Sequence, residues 1–174
     1  MKHAPKQIPT VVTFLDMDHR PALHAPPQPK DKIAILRAER PPVHFYRYLY
    51  DTIGAPYYWV ERKKKSDAEI ADILGDPAVE LYVLYRDGCP AGMAELDFRK
   101  VNIGQLAYFG LMPDAVGRGL GHYFLHNAVL NAWDHPIDKL LVNTCTLDHP
   151  RALPLYQRVG FVPYTREQRY VELP

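Results

Sequence analysis

The stretch of this chain best suited to chemistry is LMPDAVGRGLGHYF, residues 111–124, where an apolar run breaks at Pro113 and Gly117, Gly119 and Gly121 alternate ahead of a helical pattern. The first turn of a helix has N–H groups without partners and carries the positive end of the helix dipole. Glycines remove the Cβ atoms that would hold an anion away from the backbone. The turn from Val116 to His122 therefore reads either as an anion seat or as a flexible joint between a strand and a helix. Two nucleotide-binding patterns are excluded by residue type. A P-loop needs Lys and then Ser or Thr after its last glycine, where His122 and Tyr123 stand, and a dinucleotide fingerprint needs a small residue where Phe124 stands. His122 and His126 have the spacing of a metal pair, but no Glu follows His122 and no third ligand is spaced nearby, so no metal site is expected. His122 suits donation to a phosphate, or simply faces water.

The elements that must position this turn can be read from periodicity. Gln105 to Met112 and Lys139 to Thr144 are strand-like, and between them Leu120, Phe124, Ala128, Val129 and Ala132 mark one face of a helix ending near Asp134. A strand-helix-strand unit of this kind implies a parallel pair. Ahead of it, Leu81 to Arg86 and Ala91 to Asp97 form a hairpin through Asp87-Gly88, a pair suited to positive φ. Phe45, Leu49 and Ile53 predict a helix from Pro42 to Gly54. Ser66 with Glu69 is a capping-box signature for a short helix reaching about Leu74. Val11 to Met17 and Lys32 to Glu39 read as strands, separated by an exposed loop because Pro21, Pro26, Pro27 and Pro29 exclude a central strand or a helix. Antiparallel strands followed by one crossover predict an α+β domain with a mixed, mostly antiparallel sheet.

Composition sets the outer bounds. The 174 residues, 47% hydrophobic and 24% charged, fit a single domain that needs neither disulfides nor a structural metal. Two cysteines, Cys89 and Cys145, make no disulfide framework and read as free thiols in a reducing compartment. The basic start MKHAPKQIPT is followed by no apolar segment, and no run of 18 apolar residues occurs. The expectation is a cytoplasmic protein without a membrane partner. A net charge of +1 argues against a nucleic-acid partner, and the run Arg62, Lys63, Lys64, Lys65 is expected to be a solvated edge.

The sequence resembles the GNAT superfamily of acyl-CoA-dependent N-acyltransferases, whose signature is Arg or Gln, two residues, Gly, one residue, then Gly or Ala. Val116-Gly117-Arg118-Gly119-Leu120-Gly121 matches both glycine positions and departs at the first, where Val116 replaces a polar side chain. A second match, in the right order, is Ala152-Leu153-Pro154-Leu155-Tyr156-Gln157-Arg158-Val159-Gly160-Phe161, similar to the family's Ala-x-x-Leu-Tyr-x-x-x-Gly-Phe. It departs at His149, where the family usually has Asn. The resemblance covers roughly residues 80–163, the expected coenzyme-binding core, with residues 1–40 adding the N-terminal strands and the Pro-rich loop of the same domain.

The resemblance implies direct transfer of an acetyl group from acetyl-CoA to an amine of a small molecule or a protein. It implies a pyrophosphate held by the backbone of Val116, Gly117, Arg118, Gly119, Leu120, Gly121 and His122, with Arg118 compensating for Val116. Phe109, Leu111 and Met112 would border the pantetheine arm, paired like an added strand, with Gly110 marking a bulge that opens the gap. Tyr156, with an ordinary pKa of about 10, would donate to the leaving sulfur, or else pack under Phe161. Glu95, among Met93, Ala94 and Leu96, is the expected base, with Asp97 beside it, or else a strand-edge carboxylate in solvent. The aromatic residues from His44 to Trp59 would line the acceptor, pack in the core, or form a homodimer interface. The alternative to an enzyme is a non-catalytic acyl-CoA-binding regulatory module.

Overall fold

The structure, a computed structural model, describes residues 7–173. Its strands are β1 (Gln7–Met17), β2 (Ile33–Ala38), β3 (Val79–Arg86), β4 (Cys89–Lys100), β5 (Ile103–Leu111), β6 (Lys139–Cys145) and β7 (Val162–Glu172). Its helices are α1 (Val43–Gly54), α2 (Asp67–Gly75), α3 (Leu120–Trp133) and α4 (Ala152–Arg158). The strands form one sheet in the order β2-β3-β4-β5-β6-β1-β7, antiparallel except for the β5–β6 pair that α3 connects. This is the α+β architecture expected from the hairpin and the single crossover.

Local chemistry accounts for the well-placed elements. Ser66 Oγ accepts from the Glu69 N–H and Glu69 returns a bond to the Ser66 N–H, closing the capping box of α2. Asp87 and Gly88 both take positive φ at the β3–β4 turn. The five apolar residues expected to face inward from α3 are each no more than 1% exposed. In α1 the buried stripe is Tyr46, Leu49, Tyr50 and Ile53, with Phe45 only half-buried. The helix thus turns one residue away from the expected Phe45 face and puts two tyrosines inside.

The sheet divides the helices. Gly110 on β5 faces α1, because a Cβ there would overlap Ile53 and approach Trp59. Gly92 on β4, paired with Leu111, faces the other way, toward Phe124 of α3. Successive strand residues point to opposite faces, so α1 and α3 lie on opposite sides.

Two placements differ from the sequence reading. Residues 162–172 form an edge strand, β7, that polar Thr165 to Arg169 concealed. The N-terminal strand β1 is inserted between β6 and β7, so the two ends of the chain complete one half of the sheet.

Candidate functional site

The gap that opens the site has an identifiable cause. Glu95 pairs with Tyr108 and Leu96 with Leu106, which leaves Ala107 without a partner on β4. This bulge, rather than one at Gly110, bends β5 away from β6. The two parallel strands pair only from Ile103 to Gln105 against Lys139 to Leu141 and then part. A cavity of about 680 Å³ occupies the parting and is lined by residues from both faces of the sheet, Trp59 on the α1 side and Gly121 on the α3 side.

At its α3 end the cavity meets Val116, Gly117, Gly119, Gly121 and His122. Gly117 and Gly119 take φ of +80° and +76°, in the left-handed region that other residues enter at a cost, and nothing lies within 4 Å of where their Cβ atoms would be. Gly119 is the N-cap of α3 and supplies no side-chain cap. The leading N–H groups of a 14-residue helix therefore open toward the cavity without a capping side chain. His122 is held below its ordinary pKa by burial, the Arg158 charge and His126, so it enters this end mostly as a neutral imidazole. Arg118 does not line the cavity: its Nε donates 3.0 Å back to the Asp114 carbonyl, away from the role of replacing a polar side chain at 116.

Phe109 and Leu111 line the middle of the gap, whereas Met112 lies 3% exposed in the core with its N–H spent on the Ala91 carbonyl. Leu120 likewise faces the core, so only its backbone can reach the turn.

Tyr156 reaches the cavity from α4, and its placement explains the second motif. The Phe161 N–H donates to the Tyr156 carbonyl and the Gly160 N–H to that of Gln157, with Gly160 at φ +108°. This is a Schellman cap, in which the residue after glycine packs on the third-last helical residue. Here that contact is the edge-to-face pair of Phe161 and Tyr156, 6.0 Å between centroids. Pro154 costs little, because it sits in the first turn where its N–H would have no helical partner. Burial first, and then the Asp148 charge, push the Tyr156 phenol well above its ordinary range, so it stays protonated. Its hydroxyl has no hydrogen-bond partner among the described residues.

Glu95 lies outside the cavity lining. It is fully buried, with one oxygen on Arg62 and the other on the Tyr46 hydroxyl. Arg62, expected in a solvated edge, is only 11% exposed and lies over the Tyr108 ring. Burial lowers its pKa, but the Glu95 charge together with Tyr46 and the hydrogen bonds to both more than offsets this, so it remains a cation. The other members of the run pair with carboxylates: Lys63 with Asp51, Lys64 with Glu61 and Lys65 with Glu69. Asp97 is chelated by Arg99 and also stays outside the cavity.

From the aromatic stretch between His44 and Trp59, Tyr50, Tyr57, Tyr58 and Trp59 line the cavity, whereas sequence reasoning missed the wall opposite, where Thr10, Val12, Asn143, Cys145 and Arg169 come from the strands. Asp148 follows β6, in an Asp-His-Pro turn whose composition signals a turn but no role. Among the described residues no group of three His, Cys, Asp or Glu comes together to hold a metal, and no helix is long and apolar enough to cross a membrane.

Solved structures share this fold. A GCN5-related N-acetyltransferase from Kribbella flavida is 16% identical with a TM-score of 0.65 over 94% of this chain. A Drosophila protein is 14% identical with a TM-score of 0.71 over 97%. This chain spans only 58% and 52% of the length of those two. An aminoglycoside acetyltransferase from an uncultured soil sample, solved with sisomicin, is 10% identical with a TM-score of 0.60, covering 74% of this chain and 87% of its own. No curated protein sequence matches. Residues 46–161 match the model of the acetyltransferase (GNAT) family, and with that match over most of its length the chain belongs to this family of acyltransferase enzymes.

Proposed function

We propose that this protein transfers an acetyl group from acetyl-CoA to a primary amine of a small molecule or a protein, by direct attack and in the cytoplasm. The observation that carries the reading is one continuous gap. It is bordered by the uncapped N-terminus of α3, the parted β5 and β6, Tyr156 and an aromatic wall.

The residues fit coenzyme A in kind. The α3 turn offers backbone donors and no Cβ to a pyrophosphate, and the unpaired edge of β5 at Phe109 to Leu111 offers strand-like hydrogen bonding to a pantetheine amide. Acetyl-CoA would supply an activated thioester. The protein's part is to align it, keep the Tyr156 hydroxyl at the leaving sulfur, and exclude bulk water from the gap. No metal is needed for these steps.

Thiol release from acetyl-CoA, followed with a disulfide reagent across a panel of amines, tests the reaction. Amine-dependent release is expected, and coenzyme binding with no release for any amine would instead favour a regulatory binding module. A charged side chain at Gly119 should damage the phosphate seat specifically. In Gly119→Glu, left-handed strain adds to a carboxylate facing a pyrophosphate, so coenzyme A affinity should fall about ten- to a hundredfold. Unchanged affinity by calorimetry would move the seat elsewhere.

A further inference from the structure

Resting on the acyl-transfer reading above, we propose that Asp148 is the carboxylate that holds the acceptor nitrogen and takes its proton as the new N–C bond forms. Among the described residues two carboxylates line the cavity, Glu61 and Asp148. Glu61 is 70% exposed and engaged by Lys64 at 2.9 Å, whereas Glu95 is enclosed behind Arg62 and Tyr46. Asp148 is built into the wall. Its Oδ2 accepts from the Thr144 hydroxyl and from the Cys145 N–H, each at 2.8 Å, while Oδ1 has no partner among the described residues.

Its position is the one the reaction requires. Asp148 follows the end of β6, across the gap from Phe109 and Gly110. After burial, its charge is the next influence raising both the Tyr156 hydroxyl on α4 and the Tyr57 hydroxyl in the turn after α1. One carboxylate thus faces the group expected at the leaving sulfur and the aromatic wall from which an amine would approach. The rings of Tyr57 and His149 meet edge to face beside it, 6.2 Å between centroids. An aromatic rim with a carboxylate behind it attracts a cationic amine by ring faces and charge together.

The step balances without a further reagent. The neutral amine forms the N–C bond as the C–S bond breaks, and the proton lost from nitrogen goes to Asp148 and then to water. The sulfur departs as a thiolate that accepts a hydrogen bond from Tyr156 and is protonated from solvent. A carboxylate is adequate because nitrogen becomes far more acidic once it bonds to the carbonyl carbon, so Asp148 does not need the strength to deprotonate a free ammonium.

The test uses the full chain with spermidine, lysine, tyramine and tryptamine as acceptors. Asp148→Asn keeps an oxygen for Thr144 and Cys145, so coenzyme A affinity should stay within about threefold while turnover falls about a hundredfold, the low end for proton-transfer catalysis. Asp148→Ala should lose as much and recover at least tenfold when formate is added, which a merely structural role would not do. Turnover within threefold of the parent in Asp148→Asn, or a loss in Asp148→Ala that formate leaves untouched, overturns the role while leaving acyl transfer standing. Absence of thiol release by the unmodified protein with every amine removes both.

Discussion

Tyr156→Phe should lower turnover by about 10²–10³, the loss typical of removing one preorganised donor from a developing charge, with coenzyme A affinity changed little. The substitution deletes one oxygen and nothing else that the structure uses. The ring stays edge to face with Phe161 and at 6.4 Å from Phe109, and the lost hydroxyl has no partner among the described residues to leave stranded. The melting temperature should therefore hold or rise slightly. Burial and the Asp148 charge fix the sign of the pH dependence. A phenol raised above its ordinary range stays protonated through the alkaline side of neutrality, so the unmodified protein should show no loss of turnover from Tyr156 ionisation below about pH 10. The same shift makes full proton release costly. In the proposed reaction Tyr156 would therefore act chiefly by donating a hydrogen bond to the thiolate as it forms. Single-turnover measurements separate the alternatives: an equal fall in coenzyme affinity and turnover would make Tyr156 a binding residue.

What could be read from the sequence follows from how local each feature is. The Asp87-Gly88 hairpin, the Ser66–Glu69 box and the α3 stripe are each decided within a few residues, and all three stand where the pattern put them. The glycine turn was legible for the same reason, since positive φ at Gly117 and Gly119 is a demand on those residues alone. The Ala107 bulge was not, because it depends on which β4 residue faces which β5 residue. Nor was β7, an edge strand exposed over most of its length, whose Thr165 to Arg169 need no apolar alternation. Glu95 shows the same limit at the level of one side chain. Its apolar neighbours left burial and a solvent-facing edge both open, and the partner that settles the matter came from a basic run 33 residues away that composition alone assigns to solvent. Asp148 carries no local mark beyond a turn, and only the closure of β6 against β1 brings it to the gap.

Arg62→Ala is expected to be the most damaging single change to stability, about 3–5 kcal/mol, because it strands a charge rather than merely removing one. Glu95 is fully buried, and without the guanidinium it would keep only the Tyr46 hydroxyl and no countercharge. For a domain of this size that corresponds to a fall of roughly 6–20 °C in melting temperature, read by calorimetry. The pair itself need not be a net source of stability, since bringing two charges into the core costs several kcal/mol for each ion. Pairing Arg62→Met with Glu95→Gln should therefore recover most of the loss. A double-mutant cycle would return a coupling at or above the upper end of the usual range of about 0.5–3 kcal/mol for neighbours. Activity need not return with stability. Arg62 also donates to the Tyr46 hydroxyl, lies over the Tyr108 ring, and donates its backbone N–H to the Tyr50 hydroxyl, while Tyr50 and Tyr108 line the cavity together with Tyr57 to Glu61 just ahead of it. A stable double variant with weakened amine affinity but normal coenzyme affinity is the expected outcome under the proposed function, because the pair positions the aromatic wall proposed to hold the acceptor and itself lies outside the cavity lining. Loss of less than about 1 kcal/mol in Arg62→Ala would show instead that the fold does not depend on this ion pair.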